Sequence, residues 1–243
     1  MEILRLGQKN FIEIVKRVIK EINLFSTLRF ARVVKEPFGS FPPFAVARVV
    51  KEPFGSFPPF AVARVSKFIR QGKVIVLPTD TVYGLVADAT NKKAVERLFK
   101  IKRRRKGKPI PIFVKDIKIA KKSALIDKNQ ERFLTKVWPG KTTAVLKRKQ
   151  GIRLYGVDKK TIALRTPNYR FLNTLLKKIN RPLTGTSANI SGKSASTEIK
   201  EIINQFKNQK HQPDLIIDAG NLPKSRPSRV IDLIGKKPKI LRK

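Results

Sequence analysis

A β-branched run stopped by a proline constrains this chain more than any other stretch. Residues 73 to 90 read Lys-Val-Ile-Val-Leu-Pro-Thr-Asp-Thr-Val-Tyr-Gly-Leu-Val-Ala-Asp-Ala-Thr. Val74 to Leu77 has the composition of a buried strand. Pro78 ends it, because proline has no N–H to give to a sheet ladder. Thr79, Asp80, Thr81 and Tyr83 then crowd hydroxyls and a carboxylate onto the strand exit, and Gly84 lets backbone approach closely. In open α/β sheets, ligands sit beyond the carboxyl ends of strands. Read alone, the stretch is as much an ordinary strand-turn with polar caps as a ligand site.

The chain around it alternates helices and strands. Ile3 to Leu6 reads as a strand, and Phe11, Ile14, Val15 and Val18 recur at helical spacing. After the strand exit, Asn91 opens a helix to Ile101. Ile110 to Val114 is a strand, Asn129 to Val137 a helix, and Trp138-Pro139-Gly140 a turn. Thr142 to Leu146 and Thr161 to Leu164 are strands, and Tyr169 to Ile179 is a helix. Leu183 to Thr186 is a strand leading into Ser187-Ala188-Asn189-Ile190-Ser191-Gly192, and Thr197 caps a helix to Phe206. Leu215 to Ile217, Arg229 to Leu233 and Lys239 to Leu241 close the chain as strands. At 243 residues this alternation predicts one α/β domain with a sizeable core.

One segment does not belong to that pattern. Residues 31–46 (ARVVKEPFGSFPPFAV) recur unchanged as residues 47–62, and a third copy begins at Ala63. A perfect tandem repeat reads as a recent duplication, and two copies are too few for a solenoid. Without residues 19–65, Val18 joins Ser66, and the apolar stripe Phe11, Ile14, Val15, Val18, Phe68, Ile69 continues unbroken. The reading is therefore residues 1–243 as one domain interrupted by an in-frame insertion at about 19–65. The insertion holds six prolines and eight of the fifteen phenylalanines, so it cannot be helix throughout. It is expected to protrude, since long surface loops cost little extra closure entropy. The alternative is an acquired proline-aromatic loop that binds a partner.

Composition narrows the chemistry. The formal net charge is +38, which attracts polyanions such as nucleotides or RNA, unless it is lysine enrichment on a solvated surface. Seven of the nine residues from Lys100 to Lys108 are basic, the one dense run in an otherwise even spread. Cysteine is absent, which excludes disulfides and fits a reducing cytoplasm. The single histidine, His211, lies in a polar segment and reads as solvated. No apolar run is long enough for a membrane helix, and the N-terminus lacks a signal-peptide pattern.

The candidate residues come from separate segments. Lys102, Arg104 and Lys108 lie between a helix end and the next strand, where cations suit a phosphate chain. Thr186-Ser187-Ala188-Asn189 offers small hydroxyl and amide groups, for a nucleotide or for a polar turn alone. Arg165 ends a strand before Pro167 and could pair with a carboxylate. Pro227-Ser228 leads the strand from Arg229. Taken in order, Pro78 to Leu85; Lys102, Arg104, Pro109 and Ile110; Trp138 to Gly140; Arg165 to Pro167; Ser187, Asn189, Ser191 and Gly192; and Ser228 with Asp232 resemble the motifs of the threonylcarbamoyl-AMP synthases, the YrdC-like family, in its short form. The resemblance covers residues 1–18 and 66–243.

That resemblance implies a fold, an activity and roles. The fold is a single YrdC-like α/β domain, a twisted mixed sheet flanked by helices with a basic concave face. The activity joins L-threonine, bicarbonate and ATP into threonylcarbamoyl-adenylate and releases pyrophosphate. Partner proteins then pass the threonylcarbamoyl group to certain tRNAs in the cytoplasm. Lys102, Arg104, Ser187 and Asn189 match the family's catalytic tetrad. Arg104, Lys108, Thr161, Asn189, Thr197 and Ser228 match ATP-side positions, and Thr81, Arg165 and Ser187 match the threonine side. Mg2+ is expected on the triphosphate, and no acidic cluster marks a protein metal site. Three residues depart from the pattern: Arg105 where proline is usual, Phe113 where some members have histidine, and Arg229 where threonine is common.

The chemistry agrees with those roles. A carbamate must attack an anionic α-phosphate, so cations that bring two like charges together lower the barrier. Positioning and electrostatics suffice, with no covalent nucleophile. Two other readings stand beside the enzyme: a non-catalytic RNA-binding module on the same basic face, and a decaying gene whose fold the insertion undermines.

Overall fold

The β-branched run before Pro78 forms strand β2 (Ile75–Leu77) in the computed structural model, which describes residues 45–48, 59–105, 107–235 and 237–243. The strand at Ile3 to Leu6 and the helix at Phe11 to Val18 lie outside the described residues, as do residues 19–44 and 49–58 of the expected insertion. β2 is buried along its whole length. It sits in the middle of a five-stranded sheet ordered β1-β10-β2-β3-β9. There β1 (Ala45–Arg48) and β10 (Leu215–Asp218) run parallel with β2, while β3 (Gly84–Val86) and β9 (Thr186–Ser187) are antiparallel to their neighbours. β3 was not foreseen, being three residues directly after a polar turn.

The remaining strands form a second mixed sheet, so pairing divides what the sequence suggested was one. Its order is β12 (Lys239–Arg242), β11 (Arg229–Asp232), β6 (Thr142–Arg148), β7 (Thr161–Arg165), β4 (Ile112–Phe113) and β8 (Leu183–Thr184), with β5 (Ala124–Leu125) paired to the far end of β6. β8 and β9 are joined by Gly185 alone, so the chain steps from one sheet to the other at that residue. A Cβ on Gly185 would lie 3.0 Å from three ring atoms of Phe113. The step therefore needs glycine for close approach.

The described helices carry apolar stripes into three clusters. In α2 (Lys92–Lys102), Asn91 caps the N-terminus by accepting from the Ala94 N–H, and Ala94, Val95, Leu98, Ile101 and Lys102 face inward. With α6 (Ile199–Phe206) this helix covers one face of the first sheet. α1 (Pro59–Arg70) and α5 (Arg170–Ile179) cover the other. α3 (Ile117–Ser123) and α4 (Lys128–Val137) pack on the second sheet around Leu134 and Trp138. α4 opens with a capping box between Asp127 and Gln130. α6 is capped differently from the expectation: Glu198 occupies the N-cap, and its N–H is taken by the Ser196 hydroxyl at 2.9 Å, leaving Thr197 outside the helix.

Two pieces of the expected excursion are built into the domain rather than protruding from it. β1 pairs with β10 along the edge of the first sheet, and α1 begins at Pro59, inside the second copy of the repeat. Ala61, Val62, Val65 and Ile69 of α1 are all buried. Pro59 suits the first helical position, where its missing N–H costs nothing. Hence the same four residues, Ala-Val-Ala-Arg, form a strand at 45–48 and a helical turn at 61–64. The downstream residues differ and decide the outcome. After Arg64 the chain continues Val-Ser-Lys-Phe-Ile-Arg, which extends the stripe. After Arg48 it reaches Pro53, whose ring would clash with the carbonyl of Val49 in a helix.

Candidate active site

Lys102 is the last residue of α2, and the helical stripe aims it inward with only 3 % of its surface exposed. Its ammonium donates to the Ser187 carbonyl at 2.6 Å, the Asn189 side-chain oxygen at 2.8 Å and the Asn189 carbonyl at 3.0 Å. An ammonium has three donors, so all are engaged. The Ser187 hydroxyl donates to the Asn189 side-chain oxygen at 2.6 Å, and the Ser191 N–H donates to the Lys102 carbonyl at 2.8 Å. The Asn189 amide nitrogen holds the Lys193 carbonyl at 2.6 Å. Lys102, Ser187 and Asn189 thus form one knot that fixes the loop after β9. Burial lowers the Lys102 pKa to about 7, and the charge of Arg104 lowers it too. The three oxygens around the ammonium work the other way.

Arg104 lies near enough to feel that charge but does not touch the knot. Arg103 takes a left-handed conformation, φ 52°, which ends α2 and turns the chain. Arg104 then donates to the Lys108 carbonyl at 3.0 Å and the Pro109 carbonyl at 2.7 Å, bracing its own loop. Lys108 is exposed beside it.

A second cluster forms at the strand exit. Ser187 pairs with Gly84 across β9 and β3, and a Cβ on Gly84 would meet the Thr79 methyl at 3.1 Å. The Thr79 hydroxyl donates to the Val82 carbonyl at 2.7 Å. Its proton is therefore spent, and the 3.1 Å contact between the Thr79 and Thr81 hydroxyls is a donation from Thr81. Thr81 in turn accepts from Arg165 Nη1 at 3.3 Å. Arg165, at the end of β7, also donates Nε to the Gly140 carbonyl at 2.9 Å and Nη2 to Asp80 at 2.6 Å. The Arg165 and Asp80 side chains are 4 % and 8 % exposed, a buried ion pair. Burial lowers the Arg165 pKa, Asp80 raises it, and Arg242 lowers it again. Phe113 lies beneath the guanidinium, its ring centre 5.9 Å from the Arg165 carbon. Tyr83 is not part of this surface: it is fully buried, and its hydroxyl donates to the Gly220 carbonyl at 2.6 Å and accepts from the Ala219 N–H.

The register of the second sheet decides which other candidates reach this end. β6 and β7 are antiparallel and β11 is parallel to β6, so the start of β6, the end of β7 and the start of β11 lie together. Ser228 is there, sharing a hydrogen bond of 2.8 Å with Thr143. Thr161 is not. It begins β7, opposite Lys147, so four residues of extended chain separate it from Arg165. Its hydroxyl is turned to Asp158 at 3.3 Å. Thr161 thus lies at the opposite end of β7 from Arg165, apart from the cluster at the strand exit. Thr197 is half-buried beside the strand exit: its neighbour Ser196 accepts from the Tyr83 N–H, and its own carbonyl accepts from Leu222.

Two residues join the cluster that motif reading passed over. Asp80 was visible only as one polar group among several. Arg242, next to the last residue, donates to the Ser228 carbonyl at 2.6 Å and is close enough to Arg165 to act on its charge. The signal for Arg242 was a basic residue after the two aliphatic residues Ile240 and Leu241. Its partner lies fourteen residues away in sequence. Among the described residues, no three histidine, cysteine or acidic side chains gather as metal ligands, and no helix is long and apolar enough to cross a membrane.

Known proteins resemble this chain along most of its length. Residues 67–243 match the Sua5/YciO/YrdC profile, described as "Telomere recombination". A putative threonylcarbamoyl-AMP synthase of Methanocaldococcus jannaschii is 38 % identical over 168 residues, covering 69 % of this chain and 78 % of that protein. The threonylcarbamoyl-AMP synthase of Pyrococcus abyssi is 34 % identical over 179 residues, and this chain spans about half of its length, 51 %. The structure of P. abyssi Sua5 complexed with L-threonine superposes with a TM-score of 0.73 at 30 % identity, over 81 % of this chain and 56 % of that one. Escherichia coli YciO superposes with a TM-score of 0.72 at 26 % identity, over 82 % of this chain and 95 % of that one.

Proposed function

We propose that this chain, which belongs to the Sua5/YciO/YrdC family, condenses L-threonine, bicarbonate and ATP into threonylcarbamoyl-AMP and pyrophosphate. The observation that carries the reading is the unbroken path from Lys102 through Ser187, Gly84, Thr79 and Thr81 to Arg165. It puts a cationic loop next to a strand exit carrying a guanidinium and hydroxyls. L-Threonine in P. abyssi Sua5 supports the same amino acid here.

The roles follow from donors left over. Arg165 has five N–H groups and spends three on protein, so two remain for the threonine carboxylate. Thr81 accepts from Arg165 and keeps a lone pair for a substrate donor. Lys102 has no donor left, so it acts through Ser187 and Asn189, which it holds in place. Lys108, Arg104, Arg242, Thr197 and Ser228 are assigned to the triphosphate, whose Mg2+ accompanies it as part of the substrate. Threonine's amine and bicarbonate form a carbamate with loss of water. A carbamate oxygen attacks the α-phosphorus, the bond to the β-phosphate oxygen breaks, and pyrophosphate leaves. The surrounding cations offset the charge that gathers on the phosphate oxygens. Proteins that transfer the threonylcarbamoyl group to tRNA are the partners this product implies, in the cytoplasm where tRNA is modified.

Pyrophosphate release, measured with each substrate omitted in turn, tests the activity. Full release is expected only with threonine, bicarbonate and ATP together. Release indifferent to threonine and bicarbonate would overturn it and leave an RNA-binding module as the reading.

A further inference from the structure

Asp80 is the acidic group against Arg165, and its two oxygens serve different masters. One accepts from Arg165 Nη2 at 2.6 Å, and the other accepts from the backbone N–H of Asn168 at 3.0 Å. The side chain is 8 % exposed. A purely structural link between the strand exit and the chain after β7 would need only the Asn168 bond. The bond to Arg165 does something more. With Nε held by the Gly140 carbonyl and Nη1 by Thr81, the Asp80 contact is the third point that fixes the guanidinium plane. Three fixed points leave the plane no freedom to rotate, and a planar fork is useful to a carboxylate only at one orientation. The Phe113 ring lies to one side of the guanidinium, its centre 5.9 Å from the Arg165 carbon.

We propose that Asp80 is a positioning residue, aiming the two unspent N–H groups of Arg165 at the carboxylate of the amino-acid substrate. This rests on the threonine reading of the Arg165 pocket. Asp80 does not touch the substrate. It sets the angle of the residue that does, and its charge pairs the buried guanidinium. Its removal therefore weakens the hold on the amino acid and leaves the hold on ATP alone. A carboxylate contact is made equally in the ground and transition states, so the loss falls on KM for threonine and spares kcat.

Asp80→Asn keeps the size and an acceptor oxygen and removes the charge. Steady-state kinetics of the full chain should show KM for threonine raised by about tenfold, the scale of one charge-assisted hydrogen bond. KM for ATP and kcat at saturating threonine should stay within about twofold, a change too small to count as a lost contact. Asp80→Glu restores the charge and should recover part of the threonine KM. An unchanged threonine KM in Asp80→Asn overturns the proposal, as does an equal rise in both KM values, which marks a general loosening. If Asp80→Asn does not fold, the ratio of the two KM values in Asp80→Glu decides: a rise confined to threonine upholds the proposal, and an even rise or none overturns it. A wild-type protein whose turnover ignores threonine overturns the parent reading first, and this shows before any variant is made.

Discussion

Lys102 spends every donor on the loop it holds, so its role in the proposed reaction is indirect and its contribution to stability depends on pH. In the folded protein its pKa is lowered to about 7, against 10.5 when free. Between those values the unfolded chain keeps a proton that the fold has released, so stability rises with pH across that window. Below about pH 7 the cost of burying the charge is fully present. Lys102→Met should remove that rise: the difference in melting temperature between wild type and variant should change steadily from pH 7 to pH 10. A difference independent of pH would contradict the burial assigned to Lys102. Lys102→Ala and Asn189→Ala should each cut adenylate formation by at least about tenfold, since the Ser187 loop loses its anchor. Gly140 makes a related prediction. A Cβ there would lie 2.5 Å from the Val137 carbonyl oxygen, and backbone cannot step aside cheaply. Gly140→Ala should destabilise by roughly 1–3 kcal/mol in a urea melt and weaken threonine binding, because the Gly140 carbonyl aligns Arg165. Much of this was readable in the sequence as residue types. Lys102, Ser187, Asn189, Thr81 and Arg165 were all singled out, and the fold brings them into one connected path. Asp80 and Arg242 were not, because their partners lie 85 and 14 residues away in the chain and no local pattern links them. Thr161 lies at the other end of β7 from Arg165, a separation that nothing local in the sequence marks.

Elements were legible where the period was clear and illegible where it was short or ambiguous. Lys92–Lys102 and Arg170–Ile179 carry stripes that only a helix can bury, and both were foreseen within a residue or two. Ile117–Ser123 reads Ile-Lys-Ile-Ala-Lys-Lys-Ser, which begins by alternating like a strand. Its helical state rests on the Asp116 cap accepting from Ile119. The repeat is the sharpest case. Ala-Val-Ala-Arg is strand and helix in one molecule, so its own preference is weak and the residues that follow it settle the outcome. The repeat's end also mimics the helix it would have interrupted. On joining Val18 to Ser66, Ile14, Val15 and Val18 take the places of Ala61, Val62 and Val65, three buried positions of α1. Deleting residues 19–65 should therefore leave a domain that melts in a single cooperative transition. A broad, non-cooperative melt of the deletion variant would show that the apolar stripe of residues 11–18 cannot replace the repeat. In the intact chain, Ile69→Ala should cost roughly 2–5 kcal/mol, as for a large side chain lost from a packed core.

Across the whole molecule the formal charge of +38 sets the long-range field, and the connected path from Lys102 to Arg165 is where we propose the chemistry takes place. The two should separate under salt. If tRNA meets the surface through about six or more phosphate contacts, its affinity should fall by about 10³-fold between 50 and 200 mM salt. Adenylate formation, which depends on contacts inside the site, should change far less over that range. Equal salt sensitivity of both would tie the reaction to the outer field instead. The central claim is narrower: one pocket holds a triphosphate against threonine and joins them through carbon from bicarbonate. Incubation with isotopically labelled bicarbonate, threonine and ATP, followed by mass analysis of the nucleotide product, tests it most directly. The account predicts labelled threonylcarbamoyl-AMP, formed only when all three are present and lost when Arg165 is changed to Ala. ATP consumed with no label entering a nucleotide would contradict it.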